Sequence, residues 1–242
     1  MSTAPNTLSP PIEIRHTLNA LFAFLFPREK ARPTESRAHG RSEASPAFEL
    51  IEHSGPDRAL AEHFISQRFA ESFGSQVHSF MPRLFSLRNE HGDICGAFGL
   101  RSANRKLFLE QYLDQPIEKA IAARLGSAVE RQCIVEVGHF SGTFPGAVRA
   151  MICLLTERLY SEGFTWVTFT GTASLRNAFS RMGLAPLDIQ AAEAERLPLD
   201  ERAAWGSYYD NAPHVLVGNI KEGYGALIDR AALVRNRMDQ AA

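Results

Sequence analysis

One acidic side chain inside an apolar run is the feature of this sequence that most directly suggests chemistry. The run 133–137 is rich in β-branched residues and predicts a strand, in which alternation places Ile134 and Glu136 on one face. A carboxylate buried in this way needs a partner or has a raised pKa. His139 follows closely, so Glu136 and His139 are predicted as an acid/base pair that takes a proton from an amine. The alternative is a Glu136 paired with an arginine across the sheet and a His139 that only packs in a loop.

The segment after this strand contains spaced glycines. Gly138, Gly142 and Gly146 predict a loop whose backbone N–H groups approach an acyl carbonyl or a phosphate, and the helix that begins near Ala147 directs its positive end to the same place. Arg149 adds a charge in the first turn of that helix. Glycines are also common in loops that bind no ligand, which is the alternative. The predicted donor-binding residues are Gly138, Phe140, Gly142, Gly146, Arg149, Thr170 and Asn177.

A third cluster places three large rings beside an acid in the run Trp205-Gly-Ser-Tyr-Tyr-Asp210. Such rings form an apolar wall, while their indole and hydroxyl groups orient a ligand. Trp205, Tyr209 and Asp210 are therefore predicted to bind the substrate. A surface strand that packs through its rings is the alternative. The cysteines have no metal-site spacing, so no metal is predicted.

Strand-like and helix-like segments alternate from Phe48 onward and predict the frame that positions these residues. A polar turn at 89–93 predicts an antiparallel hairpin, and the order strand, helix, strand, helix after residue 133 predicts parallel strands. We therefore expect an α/β fold: a mixed sheet with a central parallel βαβ unit and flanking helices in a single domain. The predicted strands are 48–52, 84–88, 94–101, 133–137, 164–170 and 213–220. Five helices are predicted. The first begins at 54–57 and ends at Gly74, and the fourth begins at Thr172 or Ser174 and ends at Gly183. The others are Pro116 to Leu125, 147–162 and 224–238.

The start of the chain differs from the rest. Residues 1–46 are rich in proline, serine and arginine and predict a flexible tail, interrupted by the apolar segment 18–26. That segment is too short to cross a membrane, so it is expected to fold back on the domain or to lie on a membrane surface, with cleavage as a signal peptide a further alternative. The folded domain is expected at 47–221 and a C-terminal helix at 222–242.

Composition narrows the function classes. The chain has 242 residues, with 26 basic and 27 acidic side chains, so no global positive charge recruits nucleic acid. Its three cysteines are far apart in sequence, which fits a reducing compartment better than a disulfide scaffold. A cytoplasmic protein is therefore expected, and peripheral membrane contact through 18–26 stays open.

The order of elements resembles the GCN5-related N-acetyltransferase (GNAT) fold from Phe48 to about Ile220. Within that fold, the runs Leu107-Phe-Leu-Glu-Gln-Tyr-Leu-Asp114 and Ile134-Val-Glu-Val-Gly-His-Phe140 resemble acyl-homoserine-lactone synthases. Glu136 and Phe140 match the Glu-x-Ser-Arg-Phe strand end of those enzymes, whereas Gly138 and His139 replace its Ser and Arg. The tyrosine that often acts as general acid in acetyltransferases would fall at Phe179, which has no proton to give. Tyr208 or Tyr209 would then have to protonate the leaving thiolate, or no group does, and Tyr208 is the predicted catalytic residue.

A closer resemblance is to the thermostable hemolysin family. The motifs that carry it are Leu107 to Asp114, Val135-Glu-Val-Gly138, Phe169-Thr-Gly-Thr172, Leu175-Arg-Asn177, Met182-Gly-Leu184 and Trp205-Gly-Ser-Tyr-Tyr-Asp210. The family's name records cell lysis, while its sequences look like acyltransferase folds.

Together the resemblances imply an acyltransferase without a permanent cofactor. It would move an acyl group, long chains included, from acyl-CoA or an acyl carrier protein to a small-molecule amine. Two other functions stay open. One is a membrane-active lytic protein that inserts segment 18–26, and the other is an acyl-binding module without catalysis.

Overall fold

A computed structural model describes residues 48–239. The predicted tail 1–46 and its apolar segment 18–26 lie outside these residues. The described part forms one mixed sheet of seven strands in the order β1-β2-β3-β4-β5-β7-β6. The strands are β1 Glu49–His53, β2 Arg83–Arg88, β3 Ile94–Ser102, β4 Ile134–Gly142, β5 Trp166–Gly171, β6 Leu187–Ala191 and β7 His214–Asn219. The helices are α1 Arg58–Phe73, α2 Ile117–Leu125, α3 Pro145–Ser161, α4 Ala173–Arg181, α5 Leu199–Ala204 and α6 Ile220–Asp239.

The pairing of the strands is that of the GNAT-like mixed sheet expected from the sequence. Strands β1 to β4 pair antiparallel, as do β5 with β7 and β7 with β6. Strands β4 and β5 pair parallel and are joined by α3. The α/β fold class and its central βαβ unit are thus confirmed.

The parallel strands β4 and β5 stay paired only over their first part. Their register runs from Ile134 opposite Trp166 to Val137 opposite Phe169. Beyond that point β4 continues to pair with β3 as far as Gly142, while β5 continues to pair with β7 as far as Gly171. The two strands therefore part at their carboxyl ends, and the facing edges leave a gap in the middle of the sheet.

The core lies on both faces of this sheet. Val135 and Val137 pack in one apolar cluster with Met151 of α3, whereas Ile134 packs in a second cluster with Ile117 of α2. The predicted alternation around Glu136 is therefore correct. Because both faces of the sheet are covered, Glu136 of β4 lies in an interior away from water.

Three predicted boundaries differ from the structure. The predicted loop from Gly138 begins inside β4, because pairing with β3 extends to Gly142. The terminal helix begins at Ile220 and not at Tyr224, so the expected boundary between 221 and 222 falls inside α6. The sequence patterns also missed β6 and α5, which are short.

The segment that carries the predicted ring cluster is a turn and a 3-10 helix (Tyr208–Asn211), so the alternative of a surface strand is wrong. It is fastened to the end of α1: Ser207 N–H donates to the Phe73 carbonyl at 2.8 Å, and Gln76 N–H donates to the Ala204 carbonyl at 2.7 Å. Gly206, the residue before Ser207, has φ +52°, and a Cβ there would lie 2.1 Å from the carbonyl oxygen of Phe73. Only glycine allows this close approach of two backbones.

Gly206→Ala is therefore expected to destabilise the protein by about 3 kcal/mol, because it adds backbone strain and a clash with an atom that cannot move away. Thermal unfolding of the two proteins measures the loss. Gly225→Ala is the matched control, since Gly225 lies within α6 with open space around its Cβ position, and alanine there should be neutral or stabilising. Equal melting temperatures for Gly206→Ala and the parent protein would contradict the described contact.

Candidate active site

A cavity of about 1340 Å³ opens where β4 and β5 part. Its walls come from α1, the segment 75–81, the ends of β4 and β5, the helices α3 and α4, and the start of α6. This volume exceeds the range of roughly 300–1,000 Å³ that is typical of small-molecule pockets. The cavity has room for more than one substrate group.

Glu136 lies in the wall of this cavity and is 2% exposed. Its carboxylate accepts hydrogen bonds from the backbone N–H groups of Phe108 and Leu109, each at 2.9 Å. Burial raises its pKa, and the two N–H groups and the charge of Arg101 oppose that rise. No ion pair of Glu136 with an arginine is found among the described residues. Each carboxylate oxygen keeps a lone pair beyond these bonds, so the group can still accept a proton.

The segment that holds Glu136 is itself held by a second carboxylate. Glu110 accepts the N–H groups of Leu107 and Ile117 and pairs with Arg131. Burial alone would raise the pKa of Glu110, but Arg131 and the two N–H groups bring it to about 2. Glu110 is thus an ionised anchor outside the cavity wall, and it fixes the backbone that donates to Glu136.

His139 reaches the cavity because the strand contains a β-bulge. Ala97 pairs with Ser141 and Gly99 with Gly138, so Phe98 alone faces the two residues His139 and Phe140. His139 has φ +56°, which is uncommon for a residue with a side chain. Regular alternation would place residue 139 on the face opposite Glu136, and the extra residue reverses that order.

The imidazole of His139 lies between Phe69 and Phe80, with ring centroids 6.1 and 5.5 Å away. Burial lowers its pKa to about 4, and a hydrogen bond to the backbone of Ser79 opposes the change. Nδ1 is buried without a hydrogen-bond partner among the described residues. His139 is therefore neutral at pH 7 and has a free acceptor. No hydrogen bond to Glu136 is found in the described structure, so the two side chains act separately rather than as a contacting pair.

Trp205 and Tyr208 line the cavity, as their predicted roles require. Trp205 packs against Phe108 and Tyr208, with ring centroids 5.8 and 5.1 Å away. The Tyr208 hydroxyl lies 3.5 Å from the Thr170 carbonyl oxygen, and burial raises its pKa above the ordinary value. The tyrosine therefore keeps its proton at neutral pH.

The other two residues of the ring cluster do not line the cavity, and their predicted binding of substrate stays a prediction. Tyr209 turns away from the cavity and forms a 2.6 Å hydrogen bond with the Tyr112 hydroxyl. Asp210 is exposed and also lies outside the cavity lining. Consecutive residues of a 3-10 helix point in different directions, so the four residues of that helix cannot all face one ligand.

The predicted donor-binding residues divide in the same way. Phe140, Arg149 and Thr170 line the cavity. Gly146 is buried in the first turn of α3, and Asn177 is exposed on α4, and neither lines the cavity.

Gly138 and Gly142 lie in the cavity wall, but the space beside them is occupied by protein. A Cβ at Gly138 would lie 2.4 Å from Met81, and one at Gly142 would lie 2.9 Å from Val148. A glycine at each position therefore makes room for a neighbouring side chain, and its predicted part in donor binding stays a prediction.

Comparison with known proteins identifies the family. The model of the family described as thermostable hemolysin matches residues 51–224. The chain belongs to the thermostable hemolysin family. No curated protein matches this member of the family in sequence.

Solved structures share the fold of this thermostable hemolysin family member. The apo form of TofI is 16% identical, with 76% of this chain and 96% of TofI covered and a TM-score of 0.52. FeeM, an N-acyl amino acid synthase from uncultured soil microbes, is 12% identical, with 75% and 95% covered and a TM-score of 0.50. The AHL synthase LasI is 12% identical, with 72% and 90% covered and a TM-score of 0.48. At these identities the likeness concerns the fold.

Several cavity residues were missed by sequence reasoning. Arg101 is on β3 directly across from Glu136, and Phe69 and Phe80 flank His139. Arg181 lines the cavity from the end of α4. The predicted hairpin that contains β3 could have suggested that β3 also pairs with β4. No sequence pattern indicates the register that places Arg101 opposite Glu136.

Within the described residues, no group of three or more His, Cys, Asp or Glu side chains could hold a metal ion. A search of the same residues finds no helix with the length and apolarity needed to span a membrane.

The buried imidazole predicts a pH dependence. Between about pH 6.5 and pH 4 the unfolded chain binds a proton that the folded protein excludes from His139, so stability should fall by about 3 kcal/mol as the pH falls through this window. Replacement by asparagine, which tolerates positive φ, should flatten that fall. Denaturant unfolding at a series of pH values measures both slopes.

His63→Asn controls for the loss of an imidazole, because His63 is exposed on α1. It should leave the slope unchanged. Identical slopes for the parent protein and His139→Asn would show that His139 is not held neutral by burial.

Proposed function

We propose that this protein is an N-acyltransferase that moves an acyl group, long chains included, from a thioester to an amine. The observation that carries the proposal is the position of Glu136, a 2% exposed carboxylate in the wall of a large cavity between two parting parallel strands. Burial raises its pKa, which brings the carboxylate closer to the pKa of a bound amine. A base is most effective when its pKa is near the working pH.

The chemistry assigns one step to each group. The amine nitrogen attacks the thioester carbonyl and forms a C–N bond, while Glu136 accepts the proton that the amine loses. The C–S bond then breaks, and the thiolate leaves with a proton from Tyr208, which is protonated and lines the cavity. The backbone edge of β4 beyond Val137, unpaired toward β5, supplies donors for the carbonyl oxygen as negative charge develops there.

Two arginines favour a donor that carries phosphate. Arg149 of α3 and Arg181 of α4 both line the cavity. Burial lowers the pKa of Arg149, and the like charge of Arg181 lowers it further, so the two guanidinium groups repel each other. A phosphate beside them relieves that repulsion. Acyl-CoA and an acyl carrier protein both present a phosphate next to the thiol-bearing arm, and either is a co-substrate of this proposal rather than a permanent cofactor.

Apolar side chains in the cavity lining suit a long acyl chain. Leu155 and Leu159 of α3, Phe179 of α4 and Leu184 are among them. All four side chains are apolar, so a hydrocarbon chain that packs against them removes no water from a polar group. Burial of a chain here gains about 0.8 kcal/mol for each CH₂.

The comparisons support N-acylation, since FeeM is an N-acyl amino acid synthase with this fold. The family name also has a chemical explanation under this proposal. A long acyl chain joined to a polar head is an amphiphile, so the product rather than the protein would lyse membranes and survive heating. The three free cysteines support a reducing, cytoplasmic location.

Glu136→Gln tests the proposal. Lipid extracts of cells that express the parent protein should contain an N-acylated amine that is absent from control cells, as measured by mass spectrometry. The variant should reduce its yield at least about 100-fold, the usual contribution of a positioned base.

Glu110→Gln is the matched control, because it loosens the same backbone segment without removing a carboxylate from the cavity. It should lower the melting temperature but keep most of the product. An equal loss of product in the two variants, or no acylated product from the parent protein, would refute the proposed function.

A further inference from the structure

Arg101 is a cavity residue that the proposed reaction does not use. It lies on β3 with its Cα directly across from that of Glu136 on β4, so both side chains leave the same face of the sheet. Cβ atoms of such cross-strand neighbours are roughly 5 Å apart. The side chain of Arg101 is partly buried and lines the cavity.

Among the side chains that the structure describes, none forms a hydrogen bond or an ion pair with the guanidinium of Arg101. The carboxylate across from it is bound by the backbone N–H groups of Phe108 and Leu109 instead. A guanidinium carries five N–H donors in a rigid fork that matches a carboxylate. In this wall of the cavity those donors are available to a ligand.

Arg101 acts on different groups of the cavity from Arg149 and Arg181. The charge of Arg101 acts on Glu136 and His139, whereas Arg149 and Arg181 act on each other. Arg149 and Arg181 belong to the α3 and α4 side, where the donor phosphate is proposed to bind. Arg101 is therefore not needed for the proposed donor phosphate. It lies across from Glu136, where the amine is proposed to bind.

The surroundings strengthen any ion pair formed there. Phe108, Tyr112 and Trp205 also line the cavity, and Phe108, whose N–H binds Glu136, packs against both of the other rings. Charge-assisted hydrogen bonds are stronger in such a medium than at the surface. An acceptor with a carboxylate and an amine on one carbon can contact Arg101 and Glu136 together.

We propose that Arg101 binds the carboxylate of an α-amino acid, which is the amine acceptor, while Glu136 faces its amino group. This inference rests on the proposed function and specifies its acceptor. The amino nitrogen forms the amide bond, its proton passes to Glu136, and the thiol leaves. The product is an N-acyl amino acid, and the apolar rings favour acceptors with apolar side chains.

The test compares acceptors that differ only in the carboxylate. Leucine and phenylalanine, their amides, and the amines 3-methylbutylamine and 2-phenylethylamine are each supplied with a panel of medium- and long-chain acyl donors, both as CoA thioesters and on acyl carrier protein. For the full-length parent protein, kcat/KM should be at least about 100-fold higher for the amino acids, because the amides and amines have no carboxylate to pair with the Arg101 guanidinium.

Arg101→Gln should lower kcat/KM for the amino acids by a similar factor, mainly through a higher KM, and should change the values for the amines by less than about three-fold. Arg101→Lys keeps the charge but not the fork and should fall between the two. Arg105→Gln is the matched control, since Arg105 is exposed and lies outside the cavity lining.

Acylation of the amines and amides as efficiently as of the amino acids would overturn the inference and leave the proposed function in place. An equal effect of Arg101→Gln on all acceptors would also overturn it, because Arg101 would then act on Glu136 alone. If no acceptor of any kind is acylated, the inference and the proposed function fail together. The comparison of acceptors by the parent protein needs no variant and so does not depend on how the variants fold.

Discussion

The separation of β4 from β5 after Val137 and Phe169 is the constraint on which the rest of the structure depends. A strand in the middle of a sheet normally pairs on both edges, since unpaired backbone groups away from water cost free energy. Here each strand keeps its other neighbour, so the sheet survives while the two inner edges open. The β-bulge at His139 and Phe140 bends β4 within this stretch. The gap therefore exposes backbone donors and one bent strand to the same cavity.

Keeping a carboxylate at such a place carries a cost that the neighbouring backbone offsets. Glu136 loses its hydration and gains two N–H groups from the segment that follows β3. That segment holds its shape because Glu110, bound to Arg131, accepts N–H groups at both of its ends. Glu110 is thus ionised and structural, and it holds the backbone that binds the buried Glu136. The difference comes from the partner: a guanidinium for Glu110, and neutral amides for Glu136.

Local sequence patterns predicted much of this arrangement. Alternation along 133–137 placed Glu136 correctly because a regular strand has a fixed period. Gly74 ended α1 in the left-handed conformation, as expected of a glycine after an apolar helical pattern. The order of elements predicted a parallel pair, which β4 and β5 form. In each case the deciding physics lies within a few neighbouring residues.

Local patterns gave no guidance where tertiary packing decides the outcome. Met81 and Val148 occupy the space beside Gly138 and Gly142, and no local pattern indicates which side chain a glycine admits. Tyr208 and Tyr209 are adjacent and chemically alike, yet only the first faces the cavity, because Tyr112 binds the second.

His139 shows why the candidate site in particular resists local reasoning. Its distance from Glu136 along the chain suggested a contacting pair, but the strand that follows Val137 is irregular, and the irregularity is what turns the imidazole toward the cavity. Functional sites often contain irregular backbone, because ligand binding requires side-chain directions that regular strands do not offer. The β-bulge that breaks the two-residue alternation also brings the neutral imidazole of His139 into the cavity that Glu136 lines. The features hardest to derive from the sequence are therefore those that distinguish this cavity from an ordinary gap between strands.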